Sequence, residues 1–325
     1  MFKEKFDLRR ILNSKPGDIA PFPLDEHTTA IVIAYRNPQL VADMVLPIVN
    51  VGSQIFRYMK LDKGEAFTIP DTKVGRKSSP NLIEVSATRV EASTMPYGLK
   101  DVIPQEDIDN APDNYDPEGR AAERLIDLVL LDHERRVANL VQDLNNYDAA
   151  YQNTLAGGDQ FSDYVNSDPI GTIQEALDTM VMRGNKAVMG QAVWSKLRGH
   201  PAIVKAINAT AGDTGLVSRQ AVADLFELEE LIIGVGWYNI AKKGQSPVLA
   251  RVWGKDLVLF HQNQLADTQG GITYGYTASF GERESRTRFD ESIGLRGAVE
   301  IKTGHNVKPL ITANDLGFIL KNAVA

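Results

Sequence analysis

Three short stretches of this sequence come close to a recognised chemistry, and each lacks the residue on which that chemistry turns. Gly184-Asn-Lys-Ala-Val-Met-Gly190 has the glycine spacing of a phosphate loop, but Gln191 and Ala192 stand where lysine and a hydroxyl residue are required. Nothing remains there to hold phosphate or magnesium. Gly234-Val-Gly236 follows an apolar run, yet Asn239 replaces the third glycine of a dinucleotide fingerprint, so a tight strand end is the simpler reading. Asp143-Leu-Asn145 opens like a calcium loop, but Thr154 occupies the position of the closing carboxylate.

The remaining reactive side chains are scattered. His27, His133, His200, His261 and His305 have no metal-ligand spacing, and the chain has no cysteine, which removes thiolate zinc sites, disulfides and cysteine nucleophiles together. Glu227, Glu229 and Glu230 could suggest paired carboxylates, but beside Leu228 and Leu231 they read as a solvated acidic edge. The basic stretch Lys73 to Lys77 reads as a contact between subunits. No catalytic constellation, metal or cofactor is expected, and the chain is read as a non-enzyme.

The elements that would position any site point the same way. A chain of 325 residues with 43% hydrophobic and 24% charged residues is large enough for two compact units. Its 35 basic against 42 acidic residues give a net charge of −7, which disfavours a protein that coats nucleic acid. No apolar run is long enough to span a bilayer, and the start is too charged for a signal peptide, so no membrane is expected and the cytoplasm is the default.

Residues 1–50 read as an extended arm punctuated by Pro16, Pro21, Pro23, Pro38 and Pro47, with one strand candidate at Ala30–Ala34. From Gln54 to Tyr97 a long hairpin is expected; in its second arm Ile83, Val85 and Ala87 alternate with polar residues. Such a ribbon has little core of its own and needs a partner. Asp116-Pro117-Glu118 signals a helix start. Leu125, Leu128, Val129, Val137, Leu140, Val141 and Leu144 then form a buried stripe, with Arg120, Glu123, Arg124, Asp127, Glu134 and Arg135 opposite. Asp168-Pro169 and Ser218 start further helices in a mixed α/β unit that includes strands at Ala187–Met189, Leu231–Val235, Val248–Trp253 and Leu257–His261. Two strands around Tyr274–Phe280 and Ile293–Lys302 follow, joined by the charged loop Gly281–Ser292 and packed on the long helix.

This order of arm, hairpin, long helix, mixed unit and returning strands resembles the major capsid proteins of tailed bacteriophages, the Hong Kong 97 fold. The resemblance covers nearly the whole chain. Its most specific stretches are Gly157–Ile170, Met180–Trp194, Leu197–Ile203 and the Trp-Gly-Lys turn in Val252–Leu257. It implies an α+β fold with an N-terminal arm (1–50), an extended loop (51–100), a peripheral domain (101–164 and 266–325) whose spine helix runs over 116–145, and an apical domain (165–265). Loop Asn208–Gly215 would face the capsomer centre, and loop Gly281–Ser292 would meet its counterparts at threefold contacts.

The function so implied is a shell of pentamers and hexamers around double-stranded phage DNA, touched weakly and non-specifically. The protein would assemble in the host cytoplasm and end in the virion. Partners would be a separate scaffolding protein, since the arm begins only about 50 residues before the hairpin, a portal protein and, as an optional addition, a decoration protein. Intersubunit contacts are expected at Lys63, Lys73, Arg76, Lys77, Glu282, Glu284, Arg286 and Arg288. Covalent lysine–asparagine cross-linking is not expected, because no asparagine occurs between Asn263 and Asn306. The alternatives are a cellular compartment shell of the same fold, told apart by a protein cargo, and an unrecognised soluble enzyme.

Overall fold

The structure is a computed structural model and describes residues 24–60, 69, 71–76, 79, 88–112, 114–208, 214–268 and 270–325. Lys63 and Lys77, the alternating run Ile83–Ala87 and most of loop Asn208–Gly215 lie outside them. Along the chain the strands are β1 (Ile48–Asn50), β2 (Ile55–Lys60), β3 (Thr88–Ser93), β4 (Met95–Pro104), β5 (Gln152–Thr154), β6 (Lys186–Gly190) and β7 (Glu230–Gly234). They continue with β8 (Trp237–Asn239), β9 (Leu249–Arg251), β10 (Leu257–Phe260), β11 (Gly275–Ser279), β12 (Glu284–Asp290), β13 (Ala298–Ile311) and β14 (Gly317–Lys321). Two units are distinguished by contact: Met1–Asn37, Met95–Asp132 and Ser279–Val307 form unit 1, and Pro38–Thr94, His133–Ala278 and Lys308–Ala325 form unit 2.

Unit 1 is built on three antiparallel strands. β13 is central, pairing with β4 from Ala298↔Pro104 to Val307↔Met95 and with β12 from Asp290↔Ala298 to Glu284↔Gly304. The segment expected to be the loop Gly281–Ser292 is therefore mostly strand β12. Its ladder bonds are made to β13, which satisfies the backbone groups that a loop would give to water.

The strand expected at Ala30–Ala34 is also corrected: it is the end of a helix, Glu26–Ala34. Asp25 decides this, because its side chain accepts from the backbone N–H groups of His27 and Thr28 and so provides partners for a helix start. The helix packs on β12, burying Thr28 and Val32 one turn apart. Thr29 Oγ1 donates to the Ser285 carbonyl at 2.9 Å and accepts from Ser285 N–H at 3.1 Å.

The long helix runs over Pro117–Val141, 25 residues rather than the expected 116–145, or about 37 Å at 1.5 Å per residue. Asp116 caps its start through Gly119 N–H at 3.0 Å. It stops because side chains beyond it take its last carbonyls: Asn146 Nδ2 donates to Leu140 O at 2.8 Å and Tyr147 Oη to Val141 O at 2.6 Å. Leu144 falls in a separate turn, Leu144–Asn146. Leu125, Val129, Val137 and Val141 are buried as the stripe predicts, but Leu128 is 45% exposed and Glu134, placed on the polar face, is fully buried.

Unit 2 contains the mixed sheet β5-β14-β10-β6-β7. β6 and β7 are parallel, and β10 runs antiparallel to both β6 and β14. The helices Pro169–Thr179, Gln191–Leu197, Pro201–Asn208 and Arg219–Leu225 contribute Ile173, Leu177, Val193, Leu197, Ile203 and Val222 to its core, beside Met189, Leu257, Leu259 and Leu320. Asp168 and Ser218 cap two of these helices, as their side chains suggest. β2 and β3 pair antiparallel from Ile55↔Ser93 to Lys60↔Thr88. Phe56 of this ribbon packs with Val51, Tyr276, Ala278 and Leu310. β11 is buried on both faces. The strand start expected at Ile293 and Leu295 is displaced to Ala298, and Leu295 is 93% exposed.

Candidate functional site

The two glycine motifs come together at one place. Parallel β6 and β7 end level, with Gly190 opposite Gly234, which is where open α/β sheets accept a nucleotide. In this chain the space is filled by Trp253, itself 1% exposed. A Cβ on Gly234 would collide with the Trp253 ring, and one on Gly190 with the backbone of Trp253 and Gly254. The glycines thus make room for an indole of the same chain.

Trp253 is pinned in turn by Glu134, whose burial the helical pattern missed. Glu134 Oε1 accepts from Trp253 Nε1 at 2.5 Å, and its two oxygens accept Val41 N–H at 3.0 and 2.9 Å and Ala42 N–H at 2.6 Å. Burial pushes the Glu134 carboxyl above its ordinary value, while the bond from Trp253 and then those from Val41 and Ala42 pull it back. A fully occupied carboxylate facing only donors is a structural clamp and has no lone pair directed at a substrate.

Two serine–histidine pairs also escaped the sequence, because their members are far apart in the chain. Ser167 Oγ lies 3.0 Å from His200 Nε2 and Ser279 Oγ 2.8 Å from His305 Nε2. In both, the serine hydroxyl donates elsewhere, Ser167 to Asp163 O at 2.5 Å and Ser279 to Gly281 O at 2.8 Å. Each serine therefore accepts from the imidazole, the reverse of nucleophile activation. For His200 the tautomer agrees, since Nδ1 accepts Ala202 N–H at 3.2 Å. Burial lowers its pKa, which disfavours the charged ring. Among the described residues no group of three His, Cys, Asp or Glu side chains could hold a metal ion.

Of the residues expected at intersubunit contacts, Lys73 and Arg76 are exposed, and four lie along or next to β12. Glu282 is in the turn before the strand, and Glu284, Arg286 and Arg288 share one face with Asp290. Arg286 meets Glu284 at 2.9 Å; Arg288 meets Asp290 and Glu300 at 3.1 Å each; Lys100 of β4 meets Glu300 at 2.9 Å. Glu300 is thus the centre of a charge ladder across all three strands. Its bond from Lys100 holds its pKa below the ordinary glutamate value, and Ser292 does the same for Asp290.

Gly98 and Gly304 face each other across β4 and β13, and a Cβ on Gly98 would come within 3.0 Å of Thr303 O. A groove of about 740 Å³ runs there, lined by the two glycines and bordered by Phe280, Lys100, Lys302, Glu282, Glu284 and Arg286. It presents both charge signs and an apolar edge, the makings of a protein-binding surface.

The profile of the family described as phage major capsid protein E matches residues 131–287. The major capsid protein of Pseudomonas phage JBD67 is 48% identical over 306 residues, covering 94% of this chain and 99% of that protein. A phage-related protein from Bordetella bronchiseptica has a similar structure, with a TM-score of 0.73 at 20% identity, covering 92% of this chain and 97% of that one. The capsid of a native GTA particle shares the fold at a TM-score of 0.51 and 13% identity, covering 90% and 92%. With a near full-length relative among phage capsids, the compartment-shell alternative is the weaker reading. The chain belongs to the phage major capsid proteins, has the Hong Kong 97 fold, and forms the shell of the virion.

Proposed function

We propose that this capsid protein acts without catalysis, and that neighbouring copies complete it at the open face of the β4–β13–β12 sheet and at the hairpin based on β2 and β3. The observation that carries this reading is the open groove of about 740 Å³ beside the charge ladder, with both charge signs and Phe280 on its border. In this reading residues 1–50 are the arm, 51–100 the extended loop, 101–164 with 266–325 the peripheral domain and 165–265 the apical domain. Lys63, Lys73, Arg76 and Lys77 reach a neighbour from the extended loop, while Glu282, Glu284 and Arg286 receive one.

Arg288 has a different share. Its pairing with Glu300 and Asp290 serves its own sheet, so contact between copies falls to the Glu282 end of the strand. The reading extends to pentamers and hexamers around double-stranded DNA, held with a separate scaffolding protein, a portal protein and an optional decoration protein. The net charge of −7 suits weak contact with DNA.

Deleting Lys63–Ser79 tests the proposal. Electron microscopy of the purified variant should show capsomers that fail to complete stable shells, whereas normal, stable particles would remove the idea. Boiling wild-type shells in detergent should release only a monomer of 35.8 kDa; a ladder of covalent oligomers would contradict the non-catalytic reading.

A further inference from the structure

One surface of unit 2 has no place in the account so far. β8 and β9 form a two-stranded ribbon, pairing Trp237↔Arg251, Tyr238↔Ala250 and Asn239↔Leu249. Ile240 N–H extends the ladder to Val248 O at 2.9 Å. A ribbon of this size is marginal alone, but its loop is fixed by specific bonds. Asn239 Oδ1 accepts from Ala241 N–H at 3.0 Å and from Val248 N–H at 2.9 Å, tying the loop's two ends together. Gly244, at a φ of 90°, turns the tip, and Gln245 N–H closes it on Lys242 O at 3.1 Å. At the base, the Arg251 guanidinium lies 4.3 Å from the Trp237 ring centre and that of Arg135 lies 5.2 Å from Tyr238.

This fixed shape holds apolar groups in solvent. Trp237, Ile240, Val248 and Leu249 are 46%, 55%, 52% and 63% exposed. Trp237 and Leu249 lie on one face of the ribbon and Ile240 and Val248 on the other, so both faces of one preorganised ribbon offer apolar surface to a partner. The ribbon's charge is one-sided: from Leu231 to Lys255 there is no carboxylate, while Lys242, Lys243, Arg251 and Lys255 are cationic, on a chain of net charge −7.

A polyanion such as DNA would use the lysines and leave the four apolar side chains wet. A second copy offers both kinds of complement. Between Lys100 and Arg120 the chain carries Asp101, Glu106, Asp107, Asp109, Asp113, Asp116 and Glu118 with no cation, and Tyr115 within that stretch is exposed. We propose that the hairpin Trp237–Arg251 is an inter-copy contact, docking its apolar ribbon and basic tip on the carboxylate-bearing surface of a second copy of this chain. The inference rests on the chain being a shell subunit and adds a contact that the sheet groove and the extended loop do not provide.

A photo-cross-linking residue in place of Gln245, at the exposed tip, tests this in the full-length protein. Irradiated shells should yield covalent dimers whose mapped links join the tip to another copy. Links confined to the same chain, or to nucleic acid, would overturn the proposal while leaving the shell itself established. In a second arm, Ile240→Ser combined with Leu249→Ser removes only exposed apolar surface, so the circular dichroism spectrum and unfolding midpoint should be unchanged. Most sedimenting shells should be lost; wild-type shell yield from this variant would also overturn the proposal.

Discussion

Glu134 in unit 2 and Glu300 in unit 1 are both shielded from solvent, but they are satisfied in opposite ways. Glu134 is surrounded by neutral N–H donors from Val41, Ala42 and Trp253, and burial raises its pKa. Glu300 sits between the cations Lys100 and Arg288, and its pKa falls. The first arrangement closes a crevice within one copy. The second leaves partly exposed charged groups, Lys100 and Arg288, along the open sheet. The difference separates a carboxylate that fixes the interior of unit 2 from one that ties charged groups to the surface of the unit 1 sheet.

The strongest way to break this comparison is Glu134→Ala, which would strand three buried donors at once. We expect a loss of about 3 kcal/mol of stability, allowing roughly 1–3 kcal/mol for each unpaired group less the relief of a buried charge, measured by denaturant unfolding. A near-neutral result would show that Trp253 holds its place by packing alone.

Acid should separate the two carboxylates next. Glu134, with its raised folded pKa, binds a proton more readily folded than unfolded, so its contribution rises as the pH falls from above its folded pKa towards the ordinary value of 4.5. Glu300 and Asp290 have lowered folded pKa values, so their contribution is full above the ordinary values and is lost as the pH falls through the lowered ones. Hydrogen exchange below about pH 4.5 should therefore report loosening of β12 and β13 before loosening of the Val41–Trp253 region. Simultaneous loosening would deny the contrast. Glu300→Gln should reduce the acid sensitivity of β12 to the share carried by Asp290.

The smallest effect on folding is expected from Arg286→Ala. Its partner Glu284 is half exposed, and such a pair is worth roughly 0–1 kcal/mol. Shell yield at low salt should fall all the same if this end of β12 meets a neighbour. A variant that assembles normally at low salt would confine the ladder's role to unit 1.

How much of this was legible in the sequence depended on how local each decision was. Asp168-Pro169 and Ser218 place helix starts correctly because a cap and the turn it closes lie within three residues. Asp25 carries the same signal, but the apolar Ala30–Ala34 run outweighed it and suggested a strand. β12 was hidden for the opposite reason. Glu284, Arg286, Arg288 and Asp290 alternate at strand period, but with charges instead of apolar residues, and their partner Glu300 lies on another strand. Glu134 shows where a helical pattern fails: its apparent place on the polar face is reversed by Trp253, 119 positions away. The phage-capsid resemblance was available from element order, whereas the groove over Gly98 and Gly304 depends on a pairing between β4 and β13 that neither glycine announces.

The position of β14 has a consequence during synthesis. Residues 317–321 lie between β5 and β10 in the mixed sheet, so the sheet stays split until these residues have been made. Unit 1 also waits for residues 279–307. Pairings this distant in sequence form late, and a chain interrupted before Gly317 lacks the strand that joins β5 to the rest of its sheet. A product interrupted before Gly317 would thus carry unpaired strand edges on β5 and β10 in place of a finished subunit.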